Sequence, residues 1–353
     1  MEGPLEVTAP NGTGKTELTI RRFCWLVKEK IAWAPEIAIV TFSRKAATEM
    51  RERLQLQLEQ DIDQLPIATF HSLARSILSM QAEARHETLR IIDPQQSFRL
   101  VKQAMVDCKL SEKVWPPAMV YDLITTSREQ GITAEKFLTV PESRSQQKLA
   151  AVYARYEAQV REKKGYDFPG LILGARQLLE NDYDLLEELQ DRFRFLMVDE
   201  WQDSSLGQYD FLRLLALQHR NLMVVGAGEP QSIYEWRQAN FKELDASFRS
   251  DFPEVETVVL TDNLRSTAPI IRAAAAVFGD LGGHGVQLVL VAPADDHLRA
   301  QRRQLVRHAA PDAAAAARHP HHLAVEQAGA EDAAVAGTCG HGGAVRKGAT
   351  GLH

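Results

Sequence analysis

Eight residues near the start of this 353-residue chain decide its fold: A-P-N-G-T-G-K-T, Ala9–Thr16. Glycines and small residues let successive backbone N–H groups curl around a phosphate, and the N-terminus of a following helix adds its dipole. Leu5–Thr8 is a candidate short strand before the stretch, and the apolar spacing from Gly14 to Ile31 predicts an amphipathic helix after it. This order of strand, loop and helix predicts a phosphate-binding site.

The stretch matches the P-loop pattern G-x-x-x-x-G-K-[ST], with alanine in the first position. In such a loop Lys15 reaches the β- and γ-phosphates, and the Thr16 hydroxyl ligates Mg²⁺. We therefore predict ATP and Mg²⁺ as ligands, while a chance glycine-rich turn is the alternative. The predicted nucleotide-binding residues are Ala9, Pro10, Asn11, Gly12, Thr13, Gly14, Lys15 and Thr16.

Two carboxylates, Asp199 and Glu200, directly follow the apolar run Phe195–Val198. In P-loop NTPases an acidic residue at a strand end completes the Mg²⁺ shell, and an adjacent glutamate orients and deprotonates the attacking water. Parallel α/β sheets bind ligands at the carboxyl ends of their strands. We predict that Asp199 ligates the metal and that Glu200 is catalytic, with a solvated strand end as the alternative.

Further apolar runs occur at Ile37–Thr41, Leu222–Val225 and Val255–Leu260. Short runs without strict alternation, separated by helical segments, are typical of buried parallel strands. Between Ser72 and Gly165 the pattern is mostly helical and is broken by prolines. The sequence therefore predicts an α/β fold, a P-loop NTPase with a parallel sheet and an inserted helical subdomain.

The composition changes abruptly after Asp280. Residues 281–353 contain none of the 25 aromatic residues of the chain but 8 of its 11 histidines. Without sustained periodicity or an aromatic anchor, this part is expected to be an irregular or disordered tail. Out-of-frame translation of GC-rich DNA is our hypothesis for its composition, and its histidines fit no zinc pattern well.

Net charge, cysteine content and the length of the apolar runs limit the partners and the cellular location that the sequence allows. The net charge of −6 neither indicates nor excludes a nucleic-acid partner, because binding needs a local basic groove and not a basic average. Three cysteines without metal-type spacing favour a reducing, cytoplasmic location. No apolar run reaches the ~18 residues of a membrane span, so no membrane partner is expected.

Seven motifs in succession resemble those of the UvrD/Rep/PcrA-type superfamily 1 DNA helicases. They are APNGTGKT, IVTFSRKAATEMRERL (Ile39–Leu54), ATFHS (Ala68–Ser72), YDFPGLI (Tyr166–Ile172), VDEWQDSS (Val198–Ser205), QSIYEWRQA (Gln231–Ala239) and LTDNLRS (Leu260–Ser266). The resemblance implies a RecA-like ATP-binding domain in two parts, residues 1–72 and 166–280. A helical insertion subdomain, residues 73–165, would separate them, and the tail would be residues 281–353.

The resemblance also implies residue roles. Besides Lys15 and Glu200, Gln231 would sense the γ-phosphate, and Arg265 would stabilise its developing charge. Aromatic surfaces would stack on bases, which is worth ~1–3 kcal/mol per base and tolerates any sequence. Core packing is the alternative for Phe70 and Trp236, and a structural histidine is the alternative for His71. The implied DNA-binding residues are Thr41, Phe42, Thr69, Phe70, His71, Tyr234, Trp236 and Arg237.

The activity implied is ATP-dependent 3′-to-5′ movement on single-stranded DNA, with single strands or duplex junctions as partners. Leu264 stands where the family has the tyrosine that stacks on adenine, so base recognition is expected to be weak. The motifs stop before the tail, so we expect a truncated C-terminus, little or no activity of the chain alone, and a partner chain supplying the second RecA-like domain. The alternative is a non-catalytic nucleotide- and DNA-binding module acting with such a partner.

Overall fold

The computed structural model describes residues 2–58, 65–137, 144–227 and 241–273. The tail prediction for residues 281–353 lies outside these ranges. Within them, no helix is long and apolar enough to cross a membrane. The elements in chain order are β1 (Leu5–Thr8), α1 (Lys15–Lys28), β2 (Ile37–Thr41), α2 (Arg44–Leu58), β3 (Ile67–Thr69), α3 (Phe70–Ala84), β4 (Arg90–Ile92), α4 (Pro94–Asp107), α5 (Pro117–Glu129), α6 (Ala134–Phe137), α7 (Arg144–Glu162), β5 (Gly165–Asp167), α8 (Gly170–Asn181), α9 (Tyr183–Arg192), β6 (Phe195–Asp199), α10 (Leu206–Ala216), β7 (Leu222–Gly226), α11 (Phe241–Asp251) and β8 (Glu256–Val259).

Six of the strands form a parallel sheet in the order β3-β2-β6-β7-β1-β8. The predicted α/β class is confirmed. Strands β1 and β2 have the predicted bounds, and β6 and β7 each extend one residue further. Because all six strands run the same way, the residues that follow β1, β6 and β7 meet at one edge of the sheet.

Helices cover both faces of the sheet, which explains the unbroken apolar runs. In β2, Ala38 and Val40 point into a core shared with α3, α8, α10 and α11. Their neighbours Ile37 and Ile39 point into the opposite core, which α1 and α2 complete. The strands β2, β6 and β7 are therefore apolar on both sides, whereas the internal strand β1 buries Glu6, which pairs with Arg249 of α11.

The edge strand β8 corrects one prediction. The run Val255–Leu260 was predicted to be a buried parallel strand. The strand is confirmed, since β8 pairs in parallel with β1, but all four residues of β8 are exposed, so the predicted burial is wrong. The physical reason is position, since β8 pairs with β1 at the end of the described strand order. Helix α1 also ends at Lys28, before the predicted Ile31.

The helices α4 to α7 surround a separate core that begins at Ile92. Tyr153 and Tyr156 are its largest fully buried side chains, and the two-stranded parallel pair β4–β5 closes it toward the main sheet. Helix α3, by contrast, packs its apolar face into the core of the six-stranded sheet. The residues of α3 after Ser72 thus belong structurally with the sheet.

Candidate nucleotide and DNA site

The P-loop joins β1 to α1 and is anchored to β7. The Ala9 N–H donates to the Gly226 carbonyl oxygen at 2.7 Å. Gly12 and Gly14 have φ values of 87° and 92°, which side-chain-bearing residues rarely adopt. A Cβ on Gly12 would lie 2.6 Å from Asn263 Nδ2, so a larger residue would displace the Asn263 side chain from its contact with the loop.

Lys15 is buried at the base of this loop, with 7% of its surface exposed. Its Nζ atom donates to the Ala9 carbonyl oxygen at 3.1 Å and to Asn11 Oδ1 at 3.2 Å. The same atom lies 4.0 Å from Glu200 Oε2 at the end of β6. The structure thus brings together the lysine, Thr16 of the next helical position and the carboxylates after β6.

The Asp199 carboxylate is buried, and its Oδ1 atom has no hydrogen-bond partner among the described residues. Burial and the neighbouring charge of Glu200 raise the pKa of Asp199 to about 7. Burial and Glu200 also raise the pKa of Asp203, to about 6. Glu200 has a φ of 54°, a left-handed conformation that is strained for a residue other than glycine.

These residues fit a Mg²⁺–nucleotide complex. Mg²⁺ binds oxygen ligands, usually one or two carboxylates together with substrate phosphates. The unpartnered Asp199 oxygen and the partly buried Thr16 hydroxyl are oxygen donors of this kind. The glycine-dependent curve of the loop and the Lys15 ammonium suit the phosphates.

The segment after β8 docks on the P-loop. Asn263 Nδ2 donates to the Asn11 carbonyl oxygen at 3.0 Å, and the Leu264 N–H donates to the Gly12 carbonyl oxygen at 2.7 Å. The Asn263 side chain also accepts from the Arg265 and Ser266 N–H groups. The Leu264 side chain is 67% exposed, and Arg265 is exposed as well.

The predicted DNA-binding residues occupy different environments. Thr41 is buried and donates to the Ser43 carbonyl oxygen, and Thr69 caps α3 by accepting from the Ser72 N–H. Phe70 is 3% exposed and packs in the core of the sheet, in agreement with core packing, the alternative to DNA contact that the sequence left open for it.

His71 stacks on Phe168, with ring centroids 4.0 Å apart and planes inclined by 13°. Burial lowers the pKa of His71 to about 4, so the ring is neutral near pH 7. A contact from His71 to DNA would therefore use the ring face or a hydrogen bond, without a positive charge.

Several of these rings line one cavity of about 680 Å³ between α5, α8 and the residues after β2 and β6. Phe42, Phe70, His71 and Phe168 contribute aromatic walls. Carboxylates from α5 and from Asp203 line the same space. Aromatic faces stack on bases, whereas carboxylates accept hydrogen bonds from base amino groups and repel phosphates.

Comparison with known proteins decides the family. Residues 1–253 match the sequence model of the UvrD/REP helicase N-terminal domain. The chain belongs to the UvrD/Rep helicase family. It is 35% identical over 279 residues to the ATP-dependent DNA helicase PcrA of Leuconostoc citreum, covering 78% of this chain and 37% of that protein. The PcrA helicases of Staphylococcus aureus and Staphylococcus epidermidis are 34% identical over 275 residues, covering 77% of this chain and 37% of each.

The family resemblance expected from the seven motifs is thereby confirmed. This UvrD/Rep family chain spans about 37% of the length of these relatives. Four predicted site residues lie outside the described ranges, namely Gln231, Tyr234, Trp236 and Arg237.

Sequence reasoning missed three residues that the site of this UvrD/Rep family chain uses. Phe168 lies within the quoted motif YDFPGLI, and its ring was a usable signal. Asn263 lies in NLRS, and asparagine commonly accepts from backbone N–H groups of a following turn. Gln202 in VDEWQDSS gave no sequence signal for its contact with Ala227, which lies 25 positions away after β7.

Proposed function

We propose that this chain binds ATP with Mg²⁺ at the P-loop and uses hydrolysis to drive 3′-to-5′ movement along single-stranded DNA. One observation carries the proposal: the buried Lys15 ammonium lies between the P-loop carbonyl of Ala9 and the carboxylate of Glu200. The phosphate-binding cation and the strand-end carboxylate thus face the same small volume at one edge of the sheet. Membership of a helicase family supports the choice of ATP and DNA as substrates.

Each nucleotide-site residue has a proposed task. Lys15 binds the β- and γ-phosphates, and Thr16 with Asp199 holds the metal. Mg²⁺, when bound, offsets negative charge on the phosphates. Glu200 orients the attacking water and accepts its proton, and Arg265 opposes the charge that develops on the transferred group.

Gln231 is proposed to sense the γ-phosphate. Leu264 offers the adenine an exposed apolar surface without an aromatic face, so we expect ATP to be preferred only weakly over other nucleoside triphosphates.

Single-stranded DNA, alone or at a duplex junction, is proposed to run past the aromatic cavity. Phe42, partly exposed, and the stacked pair of His71 and Phe168 offer ring faces to bases. Tyr234, Trp236 and Arg237, which lie outside the described residues, are also proposed to bind DNA. We retain the division into RecA-like parts 1–72 and 166–280 around the insertion 73–165 as part of the proposal, with the first residues of the insertion, on α3, packing against the six-stranded sheet. A cytoplasmic location is also part of the proposal.

The test is phosphate release from Mg²⁺–ATP with and without single-stranded DNA. We expect the native chain alone to show at most slow DNA-stimulated turnover, which a partner supplying a second RecA-like domain would raise. Lys15→Ala should lose at least about 100-fold of this turnover, because the phosphates lose their principal cation. Lys113→Ala, which removes an exposed lysine far from the P-loop in sequence, is the matched control. Equal nucleotide affinity and turnover in native and Lys15→Ala protein would refute the site.

Direction is tested by displacement of streptavidin from biotinylated single strands. Movement from 3′ to 5′ predicts faster displacement from the 5′ end than from the 3′ end. The opposite preference would refute the proposed direction.

A second candidate is a non-catalytic nucleotide- and DNA-binding module that docks on a partner carrying a second RecA-like domain. The exposed position of Arg265 favours it, because a residue that stabilises developing charge is expected to act in a closed site. Binding of Mg²⁺–ATP that Lys15→Ala abolishes, without any turnover, would select this candidate.

A further inference from the structure

Gln202 joins the end of β6 to the end of β7 through a buried amide. It is 3% exposed and lies in the short 3₁₀ turn Trp201–Asp203. Its Nε2 donates to Glu200 Oε2 at 2.8 Å and to Asp203 Oδ2 at 3.3 Å. Its Oε1 accepts from the Ala227 N–H at 2.9 Å. The amide is therefore satisfied on both its donor and its acceptor side.

The close approach of this amide to β7 depends on Gly226. A Cβ at position 226 would lie 2.8 Å from Gln202 Oε1 and 3.2 Å from the Trp201 Cβ. The Gly226 carbonyl oxygen also accepts from the N–H of Ala9, the first P-loop residue. A continuous route thus runs from the Glu200 carboxylate through Gln202 and the end of β7 to the P-loop.

The direction of the Glu200 side chain needs such support. Its left-handed backbone is a minor conformation for glutamate, so local preference does not hold it there. The residue after Glu200, Trp201, is held in the core, since its side chain is fully buried and its ring packs edge-on against Tyr209 and Phe248. The carboxylate itself is fixed by the Gln202 hydrogen bond, because Lys15 Nζ at 4.0 Å is beyond hydrogen-bonding distance.

We propose that Gln202 is a positioning residue: it orients Glu200 toward the attacking water and transmits nucleotide binding to Ala227, the residue that follows β7. The first half of this inference rests on the proposed function, since it assumes that Glu200 acts on water. The second half requires only that the P-loop binds Mg²⁺–ATP. Gln202 touches neither substrate nor metal in this role.

Two substitutions in the full chain separate the two halves. Gln202→Glu keeps the oxygen that accepts from Ala227 but removes both amide donors, whereas Gln202→Met has a similar length and removes all three hydrogen bonds. Gln218→Met, at an exposed glutamine on the surface, is the matched control. Three quantities are measured: the Kd of Mg²⁺–ATP, the kcat and KM of DNA-stimulated hydrolysis, and amide hydrogen exchange of a peptide containing Ala227.

In both Gln202 variants we expect kcat to fall about 10–100-fold, with Kd and KM within about 3-fold of native, because a general base has lost its orientation while the phosphate site is intact. Ala227 exchange should be slowed by Mg²⁺–ATP in the native chain and in Gln202→Glu. In Gln202→Met that nucleotide-dependent slowing should be lost. Gln218→Met should match the native chain in every quantity.

Native kcat in both variants would overturn the orientation of Glu200 by Gln202. Equal nucleotide-dependent exchange of Ala227 in native and Gln202→Met protein would overturn the transmission. If the native chain binds Mg²⁺–ATP without turnover, hydrolysis by the proposed function fails, and the exchange comparison alone decides the inference about Gln202. If the native chain does not bind Mg²⁺–ATP, both proposals fall together.

Discussion

Asp199→Asn removes a carboxylate that is 4% exposed and lacks a hydrogen-bond partner for Oδ1 among the described residues. Without the metal, the native chain must either ionise this group in a nearly dry site or leave it protonated. Asparagine has a similar shape and no charge. We therefore expect the substitution to stabilise the metal-free chain while it removes a proposed Mg²⁺ ligand.

The magnitude follows from the pKa. Burial and Glu200 raise the pKa of Asp199 from 3.8 to about 7. At 1.36 kcal/mol per pKa unit, ionisation in the folded state costs about 4 kcal/mol above pH 7. The asparagine amide needs its own partners, so we expect a net gain in the free energy of unfolding of roughly 2–4 kcal/mol at pH 8.

The sign of the pH dependence is fixed by the raised pKa. Below about pH 4 the carboxyl group is protonated in both folded and unfolded chains, so it makes no difference to stability. Between about pH 4 and 7 the unfolded chain releases the proton first, and the native chain loses stability as the pH rises. The advantage of Asp199→Asn should therefore be greater at pH 8 than at pH 5, by about 2–3 kcal/mol.

The assay is urea unfolding of the metal-free full chain at pH 5 and pH 8. Glu52→Gln, at an exposed carboxylate of α2, is the control and should change stability at neither pH. Mg²⁺–ATP should then raise the unfolding temperature of the native chain and not that of Asp199→Asn. An Asp199→Asn chain that is less stable at pH 8, or whose advantage is equal at both pH values, would refute the reasoning.

Three further predictions concern Gly12, Arg128 and His71. Gly12→Ala should weaken Mg²⁺–ATP binding at least about 10-fold by calorimetry, because a Cβ would displace the Asn263 side chain from its contact with the loop, whereas Gly3→Ala, with positive φ and nothing within 4 Å, should leave it unchanged. In the native chain the Arg128 guanidinium lies 2.9 Å from the buried Asp167 carboxylate. Arg128→Met leaves that carboxylate without its cation and should lower the free energy of urea unfolding by about 3–5 kcal/mol, and adding Asp167→Asn should recover part of the loss. Additive effects of the two substitutions would contradict this. The lowered pKa of His71 means that the unfolded chain takes up the proton first as the pH falls from 6.5 to 4, which favours unfolding. Over that range the free energy of unfolding should therefore fall by roughly 2–3 kcal/mol less in His71→Phe than in the native chain. Parallel pH profiles of the two chains would contradict this.

The central strands and the P-loop could be predicted because their signals are local. Each of β2, β6 and β7 is buried on both faces, so a nearly unbroken apolar run marks it in the sequence. Strand β1 contains Glu6 and is marked instead by the P-loop that directly follows it. The P-loop needs glycine at fixed positions for backbone reasons that no distant residue alters.

The failures have non-local causes. The run that became β8 contains two valines beside Glu256 and Thr257, much as β1 contains Glu6 and Thr8, but its place at the end of the described strand order leaves it exposed. Strand β3 is three residues long, too short for any periodicity to mark it. Gln202 and Asn263 act through partners 25 and 252 positions away, Ala227 and Asn11, which a reading of adjacent residues does not pair.

The strand order has a consequence for dimensions. Strand β7 lies between β1, which carries the P-loop, and β6, which carries Asp199. Two inter-strand spacings separate the backbones of β1 and β6 by about 10 Å, enough to hold a phosphate chain and a metal ion between a lysine and a carboxylate. Strand β7 therefore sets the separation between the backbones that carry Lys15 and Asp199, and its side chains can vary with the packing of the two cores without changing that separation.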